Sequence, residues 1–113
     1  MTGKKEWVEV YVWDKVRCRV RVETEKGKVK DMLVQLEVND VGWKPAIRYN
    51  FAHGRPHMDI IPKKGKKRKI WLEGRELEDI LTFAEIDLRS NWRRYLKECG
   101  YIENDQKGDR SDR

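Results

Sequence analysis

The first two-thirds of the chain alternates apolar and polar residues with a period of two, and this pattern restricts the fold more than any other feature. In residues 16–22, one set is small and apolar, Val16, Cys18, Val20 and Val22, and the other set is Arg17, Arg19 and Arg21. Because successive side chains of a strand point to opposite faces, the segment is predicted to be a strand with one buried and one positive face. Similar patterns predict strands over residues 6–13, 32–38, 43–51, 57–61 and 68–72. The short connections favour an antiparallel meander.

After Gly74 the apolar period changes to three and four residues. The apolar positions are Leu77, Ile80, Leu81, Ala84, Leu88, Trp92, Tyr95, Leu96 and Cys99. They predict one amphipathic helix of about six turns, or two helices with a break near residues 90–91. Gly100 is placed to cap the helix C-terminus, with Tyr101 and Ile102 packing behind it. The predicted fold class is therefore α+β, a curled antiparallel sheet of about six strands packed on a long C-terminal helix.

Length and charge limit the class of protein. The 113 residues fit a single α+β domain over 1–102 and a polar tail over 103–113 that is predicted to be disordered. No apolar run approaches the ~20 residues of a membrane span, and no secretory signal is recognisable, so a cytoplasmic location is expected. Charged residues make up 41% of the chain while Asn and Gln are few, a bias typical of heat-adapted proteins.

Three aromatic residues, Trp7, Tyr11 and Trp13, alternate along the first strand. They are predicted to form core beneath the helix, and the alternative is a platform on which bases stack. In the fourth strand, Trp43 is predicted to share a face with Ile47 and Tyr49, while Pro45 indicates an edge position or a bulge. The two cysteines, Cys18 and Cys99, lack the spacing of a metal site and are interpreted as small core residues in a reducing compartment.

Both histidines of the chain, His53 and His57, lie within five residues of each other. Arg48 precedes them, Arg55 lies between them and Asp59 follows. On a strand, His57 and Asp59 share a face with their side chains about 7 Å apart, so Asp59 could orient or charge-stabilise the imidazole. No other segment gathers imidazole, guanidinium and carboxylate groups so closely.

Three interpretations of this cluster remain open. Metal binding has the right ligand types, but the His-x3-His spacing matches no zinc motif because Gly54 and Pro56 oppose the helix that it needs, and no cofactor is predicted. Acid–base cleavage of RNA would use His53 and His57 as acid and base, with Arg48 and Arg55 stabilising the phosphate. The third interpretation is structural, with His and Asp satisfying backbone groups of a turn.

A run of basic residues follows the histidines. The net charge is +6, and six of the 26 Lys and Arg residues stand within seven positions: Lys63, Lys64, Lys66, Lys67, Arg68 and Lys69. Phosphate backbones are attracted to such a run, and the arginines at 17, 19 and 21 could add a second positive stripe. RNA is expected rather than DNA because no helix carries a basic recognition face. The alternative is a solvated hairpin tip whose lysines block edge-to-edge aggregation.

The segment from Arg48 to Asp59, RYNFAHGRPHMD, resembles the central motif RYD-x-AHG-x-PH-x-D of an uncharacterised family of small prokaryotic proteins. The resemblance continues through the Lys-rich turn, the Trp71-Leu72 pair and the helical Asn-Trp-x-x-Tyr at 91–95, and so covers about residues 48–95. Asn50 stands where the family pattern has Asp, which removes a carboxylate at this position. Over about ten residues the motif is also distantly similar to TumE-type toxins of toxin–antitoxin modules. That similarity implies a toxin that acts on RNA or translation and is neutralised by an antitoxin partner.

The sequence thus leads to a hypothesis of a basic, RNA-targeting protein of toxin type with a metal-independent ribonuclease site. The alternative is a non-catalytic module that binds RNA or a ribonucleoprotein, and the third hypothesis is a metal-dependent site at the His/Asp cluster. The oligomeric state is left open.

Overall fold

Six strands and one helix make up the fold, which was obtained as a computed structural model that describes residues 2–52 and 54–103. The strands are β1 (Thr2–Val12), β2 (Val16–Glu25), β3 (Lys28–Asn39), β4 (Trp43–Ala52), β5 (Arg55–Ile60) and β6 (Arg68–Trp71), and the helix is α1 (Leu77–Glu98). The strands form one antiparallel sheet in the order β1-β2-β3-β4-β5-β6. The predicted α+β class and meander are confirmed, and α1 is one unbroken helix.

The core lies between α1 and one face of the sheet. Its sheet residues include the predicted row Val16, Cys18, Val20 and Val22, and its helix residues include Ile80, Ala84, Leu88 and Leu96. The helix packs mainly across β3 and to a smaller extent across β4. We call the other side of the sheet, which α1 does not cover, the open face. Among the described residues, no helix combines the length and the apolar character that crossing a membrane requires.

Tight turns set the strand register. In the β2–β3 turn, Lys26 and Gly27 both have positive φ, 55° and 80°, as a two-residue hairpin turn of type I′ requires. The connection between β4 and β5 is short, because Arg55 and Pro56 already pair with Ala52 and Phe51. At the end of α1, the amide of Tyr101 donates to the carbonyl of Leu96 at 2.8 Å and Gly100 has φ 86°, so the predicted cap is confirmed.

The prediction of a core role for the β1 aromatics is wrong for Trp7 and Trp13. Trp13 is 83% exposed and Trp7 is 40% exposed. The reason is that α1 lies over β3 and reaches β1 only near the C-terminal end of that strand. Tyr11 does pack at the edge of the core, stacked on Trp92 with ring centroids 6.5 Å apart. The open-face valines of the same strand, Val8 and Val10, are also exposed.

The prediction that Trp43 shares a face with Ile47 is also wrong. Leu36 pairs with Ile47 but the next residue of β3, Glu37, pairs with Pro45, so β4 contains one extra residue at position 46. This is the bulge that the proline indicated, and it inverts the alternation of β4. Trp43 therefore lies on the open face, where the Arg17 guanidinium sits 3.9 Å from its ring centroid.

Candidate functional site

The sheet register brings the predicted site residues of β4 and β5 together on the open face. Directly opposed residues of antiparallel strands project to the same side. Arg48 opposes Asp59 across the β4–β5 pair, and Asp59 opposes Lys69 across the β5–β6 pair. Two residues further along each strand, Asn50 opposes His57, which in turn opposes Trp71. The local reason is a pair of consecutive hairpins, whose turns fix which residues face each other.

His57 and Asp59 form a buried pair at the centre of this group. Each residue is 2% exposed, and His57 Nε2 lies 3.5 Å from Asp59 Oδ2. The other ring nitrogen, Nδ1, lies 3.2 Å from the carbonyl oxygen of Arg55. A neutral imidazole can donate to one of these two acceptors and a protonated one to both. Asp59 Oδ1 is buried with no hydrogen-bond partner among the described residues. These contacts hold the pair in place, and its unused hydrogen-bonding atom, Asp59 Oδ1, is an acceptor.

Trp71 covers this pair and is itself flanked by cations. Its ring lies edge-on to the His57 ring with centroids 5.3 Å apart. The Arg55 guanidinium lies 3.9 Å from the Trp71 centroid, and Lys69 Nζ lies 5.1 Å from it. Arg55 also forms an ion pair with Glu73. Trp71 remains 42% exposed, so an aromatic ring between two cations is available to a ligand on the β6 edge.

The basic run divides into two parts. Lys63 is used within the fold, because its amide donates to the Cys99 carbonyl at 2.8 Å and its Nζ lies 3.4 Å from Asp40 Oδ2. The other members, Lys64, Lys66, Lys67, Arg68 and Lys69, are exposed and lead into β6. Lys69 lies on the open face opposite Asp59, and Arg68 lies on the other face opposite Ile60. The run therefore adjoins the His57 pair in space as well as in sequence.

The arginine stripe on β2 is largely paired with a buried glutamate. Arg17 Nε donates to Glu37 Oε1 at 2.6 Å, and Arg19 Nε donates to Glu37 Oε2 at 3.2 Å. Burial by itself raises the pKa of Glu37, but the hydrogen bonds from Arg17, Gln35 and Arg19 outweigh burial and hold that pKa below its ordinary value. Gln35 also accepts a hydrogen bond from Arg48 at 2.7 Å. The predicted second positive stripe is thus a cross-strand network, and only Arg21 has no ion pair among the described residues.

The motif residue next to Arg48 faces the opposite side of the sheet. Tyr49 is buried and donates its hydroxyl to Asp87 Oδ2 at 2.6 Å. Tyr95 donates to the same oxygen at 2.5 Å, and Asn91 Nδ2 donates to Oδ1 at 2.8 Å. Burial, followed by the bond to Asp87, raises the pKa of both tyrosines, that of Tyr95 to about 12. The β4 part of the motif, at Tyr49, and its helical part, at Asn91 and Tyr95, therefore both bind Asp87. These hydrogen bonds hold α1 against β4.

Sequence reasoning missed Asp87 and Trp71. Asp87 interrupts the apolar face of α1 between Ala84 and Leu88, and an acidic residue at such a position is a detectable signal. Trp71 could have been placed by counting outward from the Lys-rich turn, since this hairpin opposes it to His57. Trp71 is a motif position, but the motif alone does not say which face of the sheet this residue occupies.

Three further predictions concern His53, a metal site and the two cysteines. His53 lies outside the described residues, so its distance from His57 is not defined. Within residues 2–52 and 54–103, no group of three or more His, Cys, Asp or Glu side chains is arranged to hold a metal ion. Cys18 and Cys99 are free and buried, and burial raises the pKa of the Cys18 thiol to about 11. Neither cysteine has the low pKa of a reactive thiol.

The fold and the site define a class of small α+β proteins, in which an open six-stranded meander carries one C-terminal helix on one face and a polar cluster on the other. Residues 2–105 match the model of a domain of unknown function, DUF7718, and the chain belongs to this family. Comparison with curated proteins and with solved structures gave no match.

Proposed function

We propose that this protein binds RNA through the edge of the sheet at β6. The single observation that carries the proposal is Trp71, which is partly exposed between Arg55 and Lys69 and continues directly from the exposed lysines. An exposed aromatic ring stacks on any base, and flanking cations attract the phosphates on either side. We call this surface, formed by Arg55, Lys64, Lys66, Lys67, Lys69 and Trp71, the β6 surface.

Several features favour single-stranded RNA as the ligand. The β6 surface is an exposed strand and turn, whereas two of the exposed arginines of α1, Arg89 and Arg94, are paired with Glu9 and Glu98, which makes the helix a weaker candidate for a DNA groove. Stacking on Trp71 requires an unpaired base, which RNA loops and single strands supply. The exposed acidic residue beside this surface, Glu73, forms an ion pair with Arg55, and Asp59, opposite Lys69, is buried against His57.

The test compares two exposed tryptophans at opposite edges of the sheet. Trp71→Ala should weaken the binding of a fluorescently labelled single-stranded RNA about five- to 150-fold, the value of one stacked base at about 1–3 kcal/mol. Trp13→Ala removes the same side chain from the far edge, where it is more exposed, and should leave the affinity unchanged. Equal losses in both variants, or no RNA binding by the wild type, would refute the proposal.

A matched pair of lysine variants tests the electrostatic part. Lys66 and Lys67 belong to the β6 surface, and the likewise exposed Lys26 and Lys28 lie in and directly after the β2–β3 turn. Replacing Lys66 and Lys67 by Gln should reduce the salt slope of binding by about 1.4, since each phosphate contact on single strands contributes about 0.7. The same change at Lys26 and Lys28 should leave the slope as in the wild type.

Endoribonuclease activity is the second candidate, because His57 and Asp59 lie directly beneath Trp71. His57 would transfer the proton with His53 as its counterpart, Asp59 would orient the ring, and Arg48 and Arg55 would hold the phosphate. The burial of His57 places this candidate second, since a stacked base must displace Trp71 before the ribose reaches the imidazole. Full-length RNA after incubation with the wild-type protein, with and without EDTA, would exclude it.

The toxin interpretation adds a cellular test. Induced expression should arrest growth, His57→Ala should abolish the arrest if cleavage causes it, and Trp71→Ala should reduce it in either case. A neighbouring gene whose product restores growth would be the antitoxin. Unimpaired growth on expression of the folded wild type would rule out the toxin role and leave RNA binding as a separate question.

A further inference from the structure

The two edges of the sheet differ in how well they are protected from pairing. The edge strand β6 has four residues, of which two are basic. The edge strand β1 has 11 residues, and within the described part of the chain its only neighbouring strand is β2. A bulge lies between Val10 and Val12, so residues 2–10 form a long regular strand. Long edge strands offer a row of unpaired backbone groups to another chain.

β1 also carries much of the exposed apolar surface of the protein. Five of its large apolar side chains and those directly after it are well exposed: Trp7, Val8, Val10, Val12 and Trp13. In a chain with 41% charged residues, such a concentration is unusual and is typical of an interface. Proline is absent from this strand, and its only lysines are at positions 4 and 5.

We propose that a second copy of this chain pairs antiparallel with β1, about a two-fold axis at Trp7, to give one continuous twelve-stranded sheet. With this axis, Lys5 of each copy lies opposite Glu9 of the other copy, which gives two such pairs. Trp7 lies opposite Trp7 of the second copy. An axis at Lys5, Glu6 or Glu9 would oppose like charges, and an axis at Val8 would oppose none of opposite sign. Opposite charges directly across a strand pair stabilise it, and like charges destabilise it.

The side chain of Glu9 is already oriented for this contact. Arg89 of α1 donates to both of its carboxylate oxygens, at 3.1 Å and 3.3 Å, so the side chain is already oriented along the helix side of β1. Lys5 projects to the same side, because Lys5 opposes Val22 and Glu9 opposes Cys18, and both of those residues belong to the core. Lys5 has no ion pair among the described residues.

The distribution of charge also favours a second copy as the occupant of β1. The basic run lies at the opposite edge of the sheet, about 24 Å away at ~4.8 Å per strand. In the paired sheet, the two basic edges would stand on the order of 50 Å apart, well beyond the ~8–10 Å Debye length. Their repulsion is therefore screened, whereas pairing through β6 would bring the two runs together. An RNA strand is a poor occupant, because β1 around Val8 and Val10 is apolar.

The test is the oligomeric state of the full chain and its response to charge reversal. Sedimentation equilibrium should show a concentration-dependent dimer for the wild type. Lys5→Glu should weaken dimerisation about tenfold, because two attractive pairs become repulsive. The charge-reversed variant Lys5→Glu/Glu9→Lys/Arg89→Glu, in which the new lysine at position 9 keeps a helix partner of opposite charge, should restore most of that loss. The control, Lys15→Glu, makes the same charge change in the exposed turn directly after β1, outside the residues that pair, and should dimerise nearly as the wild type does.

Circular dichroism of each variant shows whether the fold is kept, so that loss of pairing is not confused with unfolding. A wild type that stays monomeric at every concentration would overturn the proposal, and this includes the case in which β1 instead receives a strand from a different protein. A dimer that Lys15→Glu and Lys5→Glu weaken equally, or that the charge-reversed variant fails to restore, would overturn the register and with it the proposed axis.

Discussion

Asp87 should be among the residues on which the stability of this protein depends most strongly. Its carboxylate accepts hydrogen bonds from the buried hydroxyls of Tyr49 and Tyr95 and from the half-buried amide of Asn91. In Asp87→Ala, the two hydroxyls lose their partner in a place that water does not reach. At about 1.5–3 kcal/mol for each hydrogen bond to a charged group, the expected loss is about 3–6 kcal/mol. Small domains have about 5–15 kcal/mol in total.

Urea unfolding followed by tryptophan fluorescence and circular dichroism measures this loss. Asp79→Ala, at an exposed acidic position in the first turn of the same helix, is the control and should change the free energy of unfolding by less than about 1 kcal/mol. A loss below about 1 kcal/mol for Asp87→Ala would refute the argument, because it would mean that the hydroxyls find other partners.

A triple variant separates the unsatisfied donors from the network itself. Tyr49→Phe/Tyr95→Phe/Asp87→Leu removes the acceptor together with both hydroxyl donors and keeps the packed volume similar. Replacing every partner of a buried polar group by apolar groups is often close to neutral. The triple variant should therefore be clearly more stable than Asp87→Ala. If both unfold at the same urea concentration, the loss comes from packing and not from unpaired hydroxyls.

Three further changes follow from groups described above. The raised pKa of Tyr95, about 12, means that the folded state holds this proton more tightly than the unfolded state, whose tyrosine titrates at 10.0. The free energy of unfolding should therefore fall as pH rises between these two values. Urea titrations at several pH values should show a flatter fall for Tyr95→Phe. The lowered pKa of Glu37 has the opposite sign, so its contribution is present above the ordinary value of 4.5 and is lost as pH falls below it; Glu37→Gln should lose part of this acid dependence. Gly100→Ala should lower the free energy of unfolding by about 1 kcal/mol because φ 86° is unfavourable for alanine, and a melting temperature equal to that of the wild type would contradict this.

Local pattern was sufficient for most of the fold. The alternation at Val16–Val22 identified both faces of β2, and the three- and four-residue spacing from Leu77 to Cys99 identified α1 and its buried side. Both patterns belong to elements that meet the core along much of their length, where burial follows hydrophobicity directly. The turn at Gly27 and the cap at Gly100 were predictable because few other residues tolerate positive φ.

The errors arose where tertiary position decides burial. Trp7 and Trp13 have the hydrophobicity of core residues, but the sequence does not say that the helix crosses β3 and leaves β1 at an uncovered edge. A bulge was one of the two alternatives that Pro45 indicated, but its position was not predicted, so Trp43 was assigned to the wrong face. In the site, His57 and Asp59 were placed on one face by the period of a strand. Their burial beneath Trp71 depends on pairing with β6, which periodicity does not reveal.

The order of the elements along the chain has a consequence for how the protein is made. Each strand pairs with its neighbour in sequence, so the sheet can assemble hairpin by hairpin as the ribosome releases it. The helix that covers it is synthesised last. The roughly fifty residues from the end of β4 to the end of α1 take several seconds at ~5–20 residues per second. During that interval, the apolar face of β2 and β3 lacks the cover that α1 supplies in the folded protein, so the nascent chain presents an aggregation-prone surface until the helix docks.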